Sequence, residues 1–403
     1  MNTMTHAVES PMVRGLLLKV VVRLIKAHIF FIALFHFKNW TKTISTVKLL
    51  KGQIKKYIGP HSIQKIAYAG GRYYWDMYGE GWPSAGFVRN VTRECIRINA
   101  SASDHVGMRN VLFGFTVKCP MQCEHCFEWD NLNLKEKLSF EDVCTITEKL
   151  LNYGVGQIHL GGGEPMMRYG ELIALLKLYS PRAGFWIVTS GYQLTKERAM
   201  ELKHAGLTGV CVSIDHNDEQ KHNAFRHHKN LFAMAQEAVV AAQEAGMVTA
   251  LSLCATKEFI STENIDSYLQ MARQLNVSFL QLLEPKAAGH YAGKDVLLHP
   301  EHKKVLEETF LKVNYHADYV HHPIVIYHEY YQPTLGCRGA GNGAFYIDPL
   351  ANVHACPFCR QGVGNLLTDS VEQCVNNLKK KGCAVPMPEI KKKKKAQELE
   401  MAL

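Results

Sequence analysis

One eight-residue stretch carries the most pointed chemistry in this 403-residue sequence: Cys119-Pro120-Met121-Gln122-Cys123-Glu124-His125-Cys126. Three thiols spaced Cys-x3-Cys-x2-Cys can converge on a soft metal centre, because sulfur ligands favour zinc or iron–sulfur clusters. A closed zinc site wants a fourth protein ligand, and His125, adjacent to Cys126, is awkwardly placed to supply it. A four-iron cluster held by only three cysteines would leave one iron open to a substrate or cofactor. A second group follows: Cys337, then Cys356-Pro357-Phe358-Cys359, with Cys374 and Cys383 downstream. A lone cysteine, a Cys-x-x-Cys pair and a later cysteine can place four thiolates round one centre, with structural zinc as the competing reading. The twelve cysteines follow no recognisable secretory signal, since Lys19, Arg23 and Lys26 interrupt the apolar N-terminal stretch. Without an oxidising destination, clustered cysteines read as metal ligands rather than disulfides.

These residues need a scaffold, and the stretch from about 110 to 300 supplies one. Short apolar runs at 111–117, 156–160, 185–189, 209–214, 248–254 and 278–283 alternate with helical segments. One of these, 139–153, opens on Ser139-Phe140-Glu141-Asp142, a capping-box signature. Six such units predict an α/β fold, a partial parallel (β/α)6 barrel with right-handed crossovers. Barrels of this kind place their chemistry on the loops after the strands. The cysteine loop follows the first strand, and Gly161-Gly162-Gly163-Glu164-Pro165 follows the second. Glycines let backbone approach a ligand closely, and Glu164 adds an acceptor. The third strand ends in Thr189-Ser190-Gly191, and the fourth in Ser213-Ile214-Asp215-His216, with Arg226 soon after. The sixth leads into Leu283-Glu284-Pro285, whose carboxylate could meet substrate or ribose, or simply enter a helix.

In this arrangement the chain resembles the radical S-adenosylmethionine superfamily over residues 110–290. The resemblance implies a 4Fe–4S cluster on Cys119, Cys123 and Cys126 whose open iron is chelated by S-adenosyl-L-methionine. Reductive cleavage would then yield a 5′-deoxyadenosyl radical that abstracts a substrate hydrogen. Gly162, Gly163, Glu164 and Pro165 match the family's Gly-Gly-Glu-Pro motif, which holds the methionyl ammonium. By the same resemblance Ser190 and Ser213 would contact ribose or carboxylate, and Arg226 would pair with the carboxylate through its planar fork. The C-terminal cysteines are similar to the SPASM or twitch extension of peptide-modifying members. That implies an auxiliary 4Fe–4S cluster on Cys337, Cys356 and Cys359, with Cys383 preferred to Cys374 as fourth ligand. There are departures: His125 stands where the family usually has an aromatic, and Ala351 where the extension usually has glycine. The cysteine-rich tail of two-cluster members is missing, so one auxiliary cluster is expected. The implied partners are a peptide or protein substrate and a reducing donor such as flavodoxin or ferredoxin.

The rest of the chain frames this core. The expected divisions are a helical N-terminal extension (1–60), a hairpin-containing cover (61–108), the core (109–300), a small Cys-rich iron–sulfur module (301–386) and a basic tail (387–403). The hairpin turns at Gly70-Gly71. Residues 12–40 are almost continuously apolar, with Lys19, Arg23 and Lys26 on one side. They read equally as a helix packed on the body or as a surface for a membrane or hydrophobic partner. The net charge of +9 owes much to the runs Lys379–Lys381 and Lys391–Lys395, read as a solvated tail rather than a nucleic-acid interface. The sequence thus favours a cytoplasmic radical enzyme, with peripheral contact at the inner membrane face left open. Two alternatives stand beside it: a radical enzyme acting on a lipid or small molecule at the membrane surface, and a non-enzymatic zinc-stabilised binding protein.

Overall fold

A computed structural model describes residues 11–100, 106–337 and 339–382. Near the N-terminus, helices α1 (Gly15–Phe37) and α2 (Trp40–Ile58) form a hairpin that packs on α3 (Ala85–Asn99). Strands β1 (Met12–Val13), β2 (Ile66–Ala69) and β3 (Arg72–Tyr74) make a small antiparallel sheet. The turn between β2 and β3 is Gly70-Gly71, with φ of 54° and 76°. Two consecutive positive φ values are what a tight two-residue hairpin requires, and glycine meets them without steric cost.

The main sheet has nine strands in the order β10-β9-β8-β7-β6-β5-β4-β11-β12. Its parallel run follows sequence order: β4 (Asn110–Thr116), β5 (Gln157–Gly162), β6 (Gly184–Thr189), β7 (Gly209–Ser213), β8 (Val248–Cys254), β9 (Phe279–Leu283) and β10 (Ile324–Tyr327). The crossovers carry α4 (Phe140–Tyr153), α5 (Tyr169–Tyr179), α6 (Lys196–His204), α7 (Glu219–Arg226), α8 (Leu231–Glu244), α9 (Thr262–Gln274) and α10 (Pro300–Tyr315). The six expected strands are all present, and the expected capping box opens α4: Ser139 Oγ accepts from Asp142 N at 3.1 Å while Asp142 Oδ2 accepts from Ser139 N at 3.0 Å.

Beyond those six the structure adds strands the sequence reading assigned elsewhere. β10 is a seventh parallel strand, of four residues. After the short α11 (Gln332–Leu335), β11 (Ala344–Ile347) returns to the opposite edge and pairs in parallel with β4, and β12 (Val353–His354) pairs antiparallel with β11. The C-terminal cysteine region is therefore built onto the core sheet. Lys379 to Lys381, read from sequence as tail, form the last turn of α12 (Val371–Lys381), where cations suit the carbonyl end of the helix dipole. Lys391–Lys395 and Cys383 lie outside the described residues.

The strands alternate strictly. Ile187, Val210, Val212, Leu251, Leu253, Leu280 and Leu282 face the helical layer and its core. Trp186, Cys211, Ala250 and Phe279 face the other way and meet Met77 and Tyr74. The segment after β3 thus covers part of the sheet's inner face, where Tyr78 stacks on His159 at 5.1 Å and Gln281 donates to its hydroxyl.

Candidate functional site

The inner face and the loops beyond it enclose a cavity of about 1040 Å³. Cys119, Cys123, Cys126, Gly162, Gly163, Glu164, Ser190, Ser213 and Arg226 all line it, as do Cys337 and Cys356. Pro165 is buried just behind, at the start of a 3-10 turn. The sequence-predicted residues on four different β/α loops and in the C-terminal region are thereby brought to one place.

The cysteine loop is braced from several sides. Asn133 clamps Cys119, accepting from its N at 3.0 Å and donating to its carbonyl at 2.9 Å. His290 donates its backbone N–H to the Cys126 carbonyl at 2.9 Å, and its Nδ1 lies 3.1 Å from the Cys123 carbonyl. Gly289 is required there, because a Cβ would fall 2.2 Å from the Cys126 oxygen. Glu124 N donates to Phe225 O at 3.0 Å, and the His125 ring stacks on Phe225 at 5.0 Å. A flat ring before the third cysteine is thus used as an aromatic would be, and burial lowers the His125 pKa to about 4, leaving the ring neutral. Burial pushes the Cys126 thiol up to about 12 and raises Cys119 and Cys123 as well. Such thiols stay protonated until a metal displaces the protons. Among the described residues no group of three His, Cys, Asp or Glu converges on one ion.

The Gly-Gly-Glu-Pro loop is docked on the cysteine loop. Gly163 N donates to Thr116 O at 2.7 Å and Glu164 N to Lys118 O at 2.8 Å. A Cβ on Gly163 would lie 2.3 Å from the Lys118 oxygen, and Gly162 has φ of +94°. The buried Glu164 carboxylate accepts from Thr189 Oγ1 (2.7 Å), Ser190 Oγ (2.6 Å), Ser190 N (2.8 Å) and Met166 N (3.2 Å). Burial raises its pKa, and these donors oppose the rise. Glu164 and Ser190 therefore form a latch between the second and third strand loops, a role their sequence positions did not disclose.

Arg226 is 6% exposed and pairs through Nε with Asp215 Oδ2 at 2.6 Å. Its Nη1 lies 3.8 Å from Cys123 Sγ. Burial alone would raise the Asp215 pKa, but Arg226, with His125 and His222, holds it down at about 2. The guanidinium is thus anchored by a protein carboxylate, with one corner on a cluster-loop thiol. Asp215 was visible in the fourth strand motif but received no role from the sequence.

On the far side of the cavity, Glu284 accepts from Tyr327 OH at 2.7 Å and pairs with Lys286 at 3.0 Å, while Lys286 lies 3.7 Å from Glu329. Burial pushes the Glu329 carboxyl up to about 7. Only Glu284 of this cluster was singled out in the sequence. The others come from β10 and from loops without a motif.

Cys359 is buried next to Cys356, its N donating to Cys356 O at 3.0 Å. Cys374 sits on α12, fully buried in the apolar core. Ala351 takes φ of +68°, the left-handed backbone for which glycine is the usual residue. The two cysteine regions touch: Phe127 makes edge contacts with Phe358 (6.2 Å) and Tyr346 (5.8 Å), and Tyr346 OH donates to the buried Glu128 at 2.6 Å. Nothing in the sequence pattern marked Phe127 or Glu128, while Tyr346 stands in the Tyr346-Ile347-Asp348-Pro349 stretch that carries part of the C-terminal resemblance.

Residues 113–269 match the Radical SAM superfamily. The chain therefore carries a radical SAM domain, the domain of enzymes that bind a 4Fe–4S cluster and S-adenosylmethionine. The non-enzymatic zinc-binding alternative falls with that match. Among curated relatives, GTP 3′,8-cyclase 2 of Pseudomonas aeruginosa is 30% identical over 41% of this chain and 51% of its own length. Mycofactocin maturase MftC of Mycolicibacterium smegmatis is 26% identical over 63% of this chain and 66% of its own. The chain thus spans from about half to just under two thirds of these relatives. Streptococcus suis SuiB bound to precursor peptide SuiA shares the fold at a TM-score of 0.54 and 14% identity, over 85% of this chain and 79% of that one. The structure of anSMEcpe with bound AdoMet does so at 0.52 and 15%, over 67% and 82%.

Proposed function

We propose that this chain cleaves S-adenosylmethionine reductively and uses the resulting radical to modify a peptide or protein. The observation that carries this reading is the convergence of Cys119, Cys123, Cys126, the Gly-Gly-Glu-Pro loop, Cys337 and Cys356 on one cavity of about 1040 Å³. A reduced cluster with an open iron, once it binds S-adenosylmethionine, supplies a 5′-deoxyadenosyl radical for hydrogen abstraction. The chain's own residues hold three thiols on a braced loop, set Glu164 and Ser190 behind the methionyl site, and place Arg226 beside Cys123. Ser213 at the end of β7 is suited to the ribose. Cys337, Cys356 and Cys359 would hold an auxiliary cluster; Cys374, buried in the apolar core, fits less well as its fourth ligand than Cys383. A peptide substrate is supported by the maturase relative and by the SuiB fold, a protein that binds a precursor peptide. We place the work in a reducing cytoplasm, with a flavodoxin or ferredoxin as electron donor.

The test is anaerobic purification followed by iron, sulfide and product analysis. Cys123→Ala is expected to abolish 5′-deoxyadenosine formation, and Cys359→Ala to lower iron while sparing it. Undiminished 5′-deoxyadenosine from the Cys123 variant would refute the ligand assignment. A second reading, a lipid or other hydrophobic substrate, is favoured by the exposed apolar face of α1. Mass spectrometry of products from extract, separated into peptide and lipid fractions, distinguishes the two.

A further inference from the structure

α1 has two apolar faces and only one is used. Leu18, Val21, Ile25, Ile32 and Ala33 are buried against α3 and its neighbours, in a cluster that includes Phe87 and Val91. Beside them, about 100° round the helix, Leu17, Val20, Leu24, Phe31 and Phe35 follow helical spacing along one line and face outward, with Leu24 52%, Phe31 53% and Phe35 80% exposed. Lys19, Arg23 and Lys26 are exposed too. Lys19 and Arg23 each stand one position before a stripe residue, about 100° round the helix. The face continues past the turn. Trp40 is 63% exposed, and Ile44, Lys48, Lys51 and Lys55 follow it on the same side of α2.

The charge of this segment is wholly one-sided. Between Glu9 and Asp76 the sequence has twelve lysines and arginines and no acidic residue. A solvated helix hairpin would carry both signs, and a protein-packed one would not leave a tryptophan and two phenylalanines outside. No helix of the described residues is long and apolar enough to cross a membrane. An apolar stripe flanked by cations on a helix too polar to span is the pattern that lies in the headgroup layer of an anionic bilayer. There the apolar side chains enter the acyl boundary and the lysines meet lipid phosphates.

We propose that the α1–α2 hairpin docks this protein on an anionic lipid surface, through the Leu17–Phe35 stripe, Trp40 and the flanking lysines. The docking goes beyond the reaction proposed above and holds for a peptide or a lipid substrate alike. Because the buried face of α1 covers Phe87 and Val91, removing the helix would expose core. Point changes on the outward face are the cleaner probe.

The experiment is flotation of the full chain, purified anaerobically, with vesicles of phosphatidylcholine alone or mixed with phosphatidylglycerol. Binding is expected only to the mixed vesicles and should weaken as salt rises. Phe31→Glu/Phe35→Glu and Lys19→Gln/Arg23→Gln/Lys26→Gln are each expected to reduce binding at least about tenfold. Circular dichroism and 5′-deoxyadenosine formation should stay unchanged in both. Equal binding to neutral vesicles, or binding that neither variant weakens, would overturn the proposal. So would absence of binding to the mixed vesicles; a dimer that Phe31→Glu/Phe35→Glu converts to monomer would then mark the face as a self-interface. Loss of 5′-deoxyadenosine formation with intact lipid binding would count against the proposed reaction, not the docking.

Discussion

Arg226 and Asp215 form a buried ion pair at 2.6 Å, and both face the first cysteine group. Removing one partner of such a pair leaves the other charged in a dry site, which typically costs about 3–5 kcal/mol. Arg226→Met is therefore expected to lower unfolding free energy by about that much, and Arg226→Met/Asp215→Asn to recover more than half of it. Anaerobic denaturant titration measures both. The same substitution has a second consequence. With Nη1 3.8 Å from Cys123 Sγ, the guanidinium favours added negative charge on a thiolate-bound cluster. Its loss should move the cluster's midpoint potential in the negative direction, whereas Arg226→Lys should move it less. A purely structural role would shift stability and leave the potential alone. At this scale the sequence was informative where chemistry demands a residue type at fixed spacing. The three cysteines, Glu164 and Arg226 could be picked out because a motif surrounds them. Asn133, His290 and Glu128 could not: the first two brace the cysteine loop through its backbone from outside any motif, and Glu128, just past the loop, is held by Tyr346 of the C-terminal region.

The loops are held to one another as much as to the sheet. Gly163 is a tight joint, because the Lys118 carbonyl would stand 2.3 Å from any added Cβ. Both are backbone positions, so neither can rotate away. Gly163→Ala is expected to push the Gly-Gly-Glu-Pro loop off the cysteine loop at a cost of about 1–3 kcal/mol. Iron content should be retained while S-adenosylmethionine affinity falls, which calorimetric titration of the reconstituted protein would show. Unchanged affinity would mean that the loop spacing does not govern that site. Six strands were readable because each is an apolar run bounded by a helical stretch, and parallel strands buried on both faces give that signal. β10 and β11 escaped it. Each is only four residues long, lies among irregular turns, and pairs with a strand whose identity only the closed chain reveals. β11 in particular joins β4 from more than two hundred residues away.

The whole molecule is tied together by elements that look peripheral in the sequence. Lys149 on α4 donates to Leu366 O at 2.6 Å, and Lys65, just before β2, donates to Val313 O and Tyr319 O, both at 2.8 Å. Residues 74–78 matter more, because they fill the inner face of the sheet beneath the cavity. Met77 is fully buried and packs in the same cluster as Trp186, Cys211 and Phe279. Without it the inner residues of β6, β7 and β9 would face a void instead of apolar atoms. Met77→Ala is expected to destabilise the fold by about 2–5 kcal/mol, the usual range for a large-to-small change in a core that cannot collapse. The loss should appear as a single cooperative shift in thermal unfolding, since the cover and the sheet share that cluster. A separate early transition, with the remainder melting at its original temperature, would mean that the N-terminal region folds as an independent unit. The loops that carry the cysteines would then be positioned by the sheet alone.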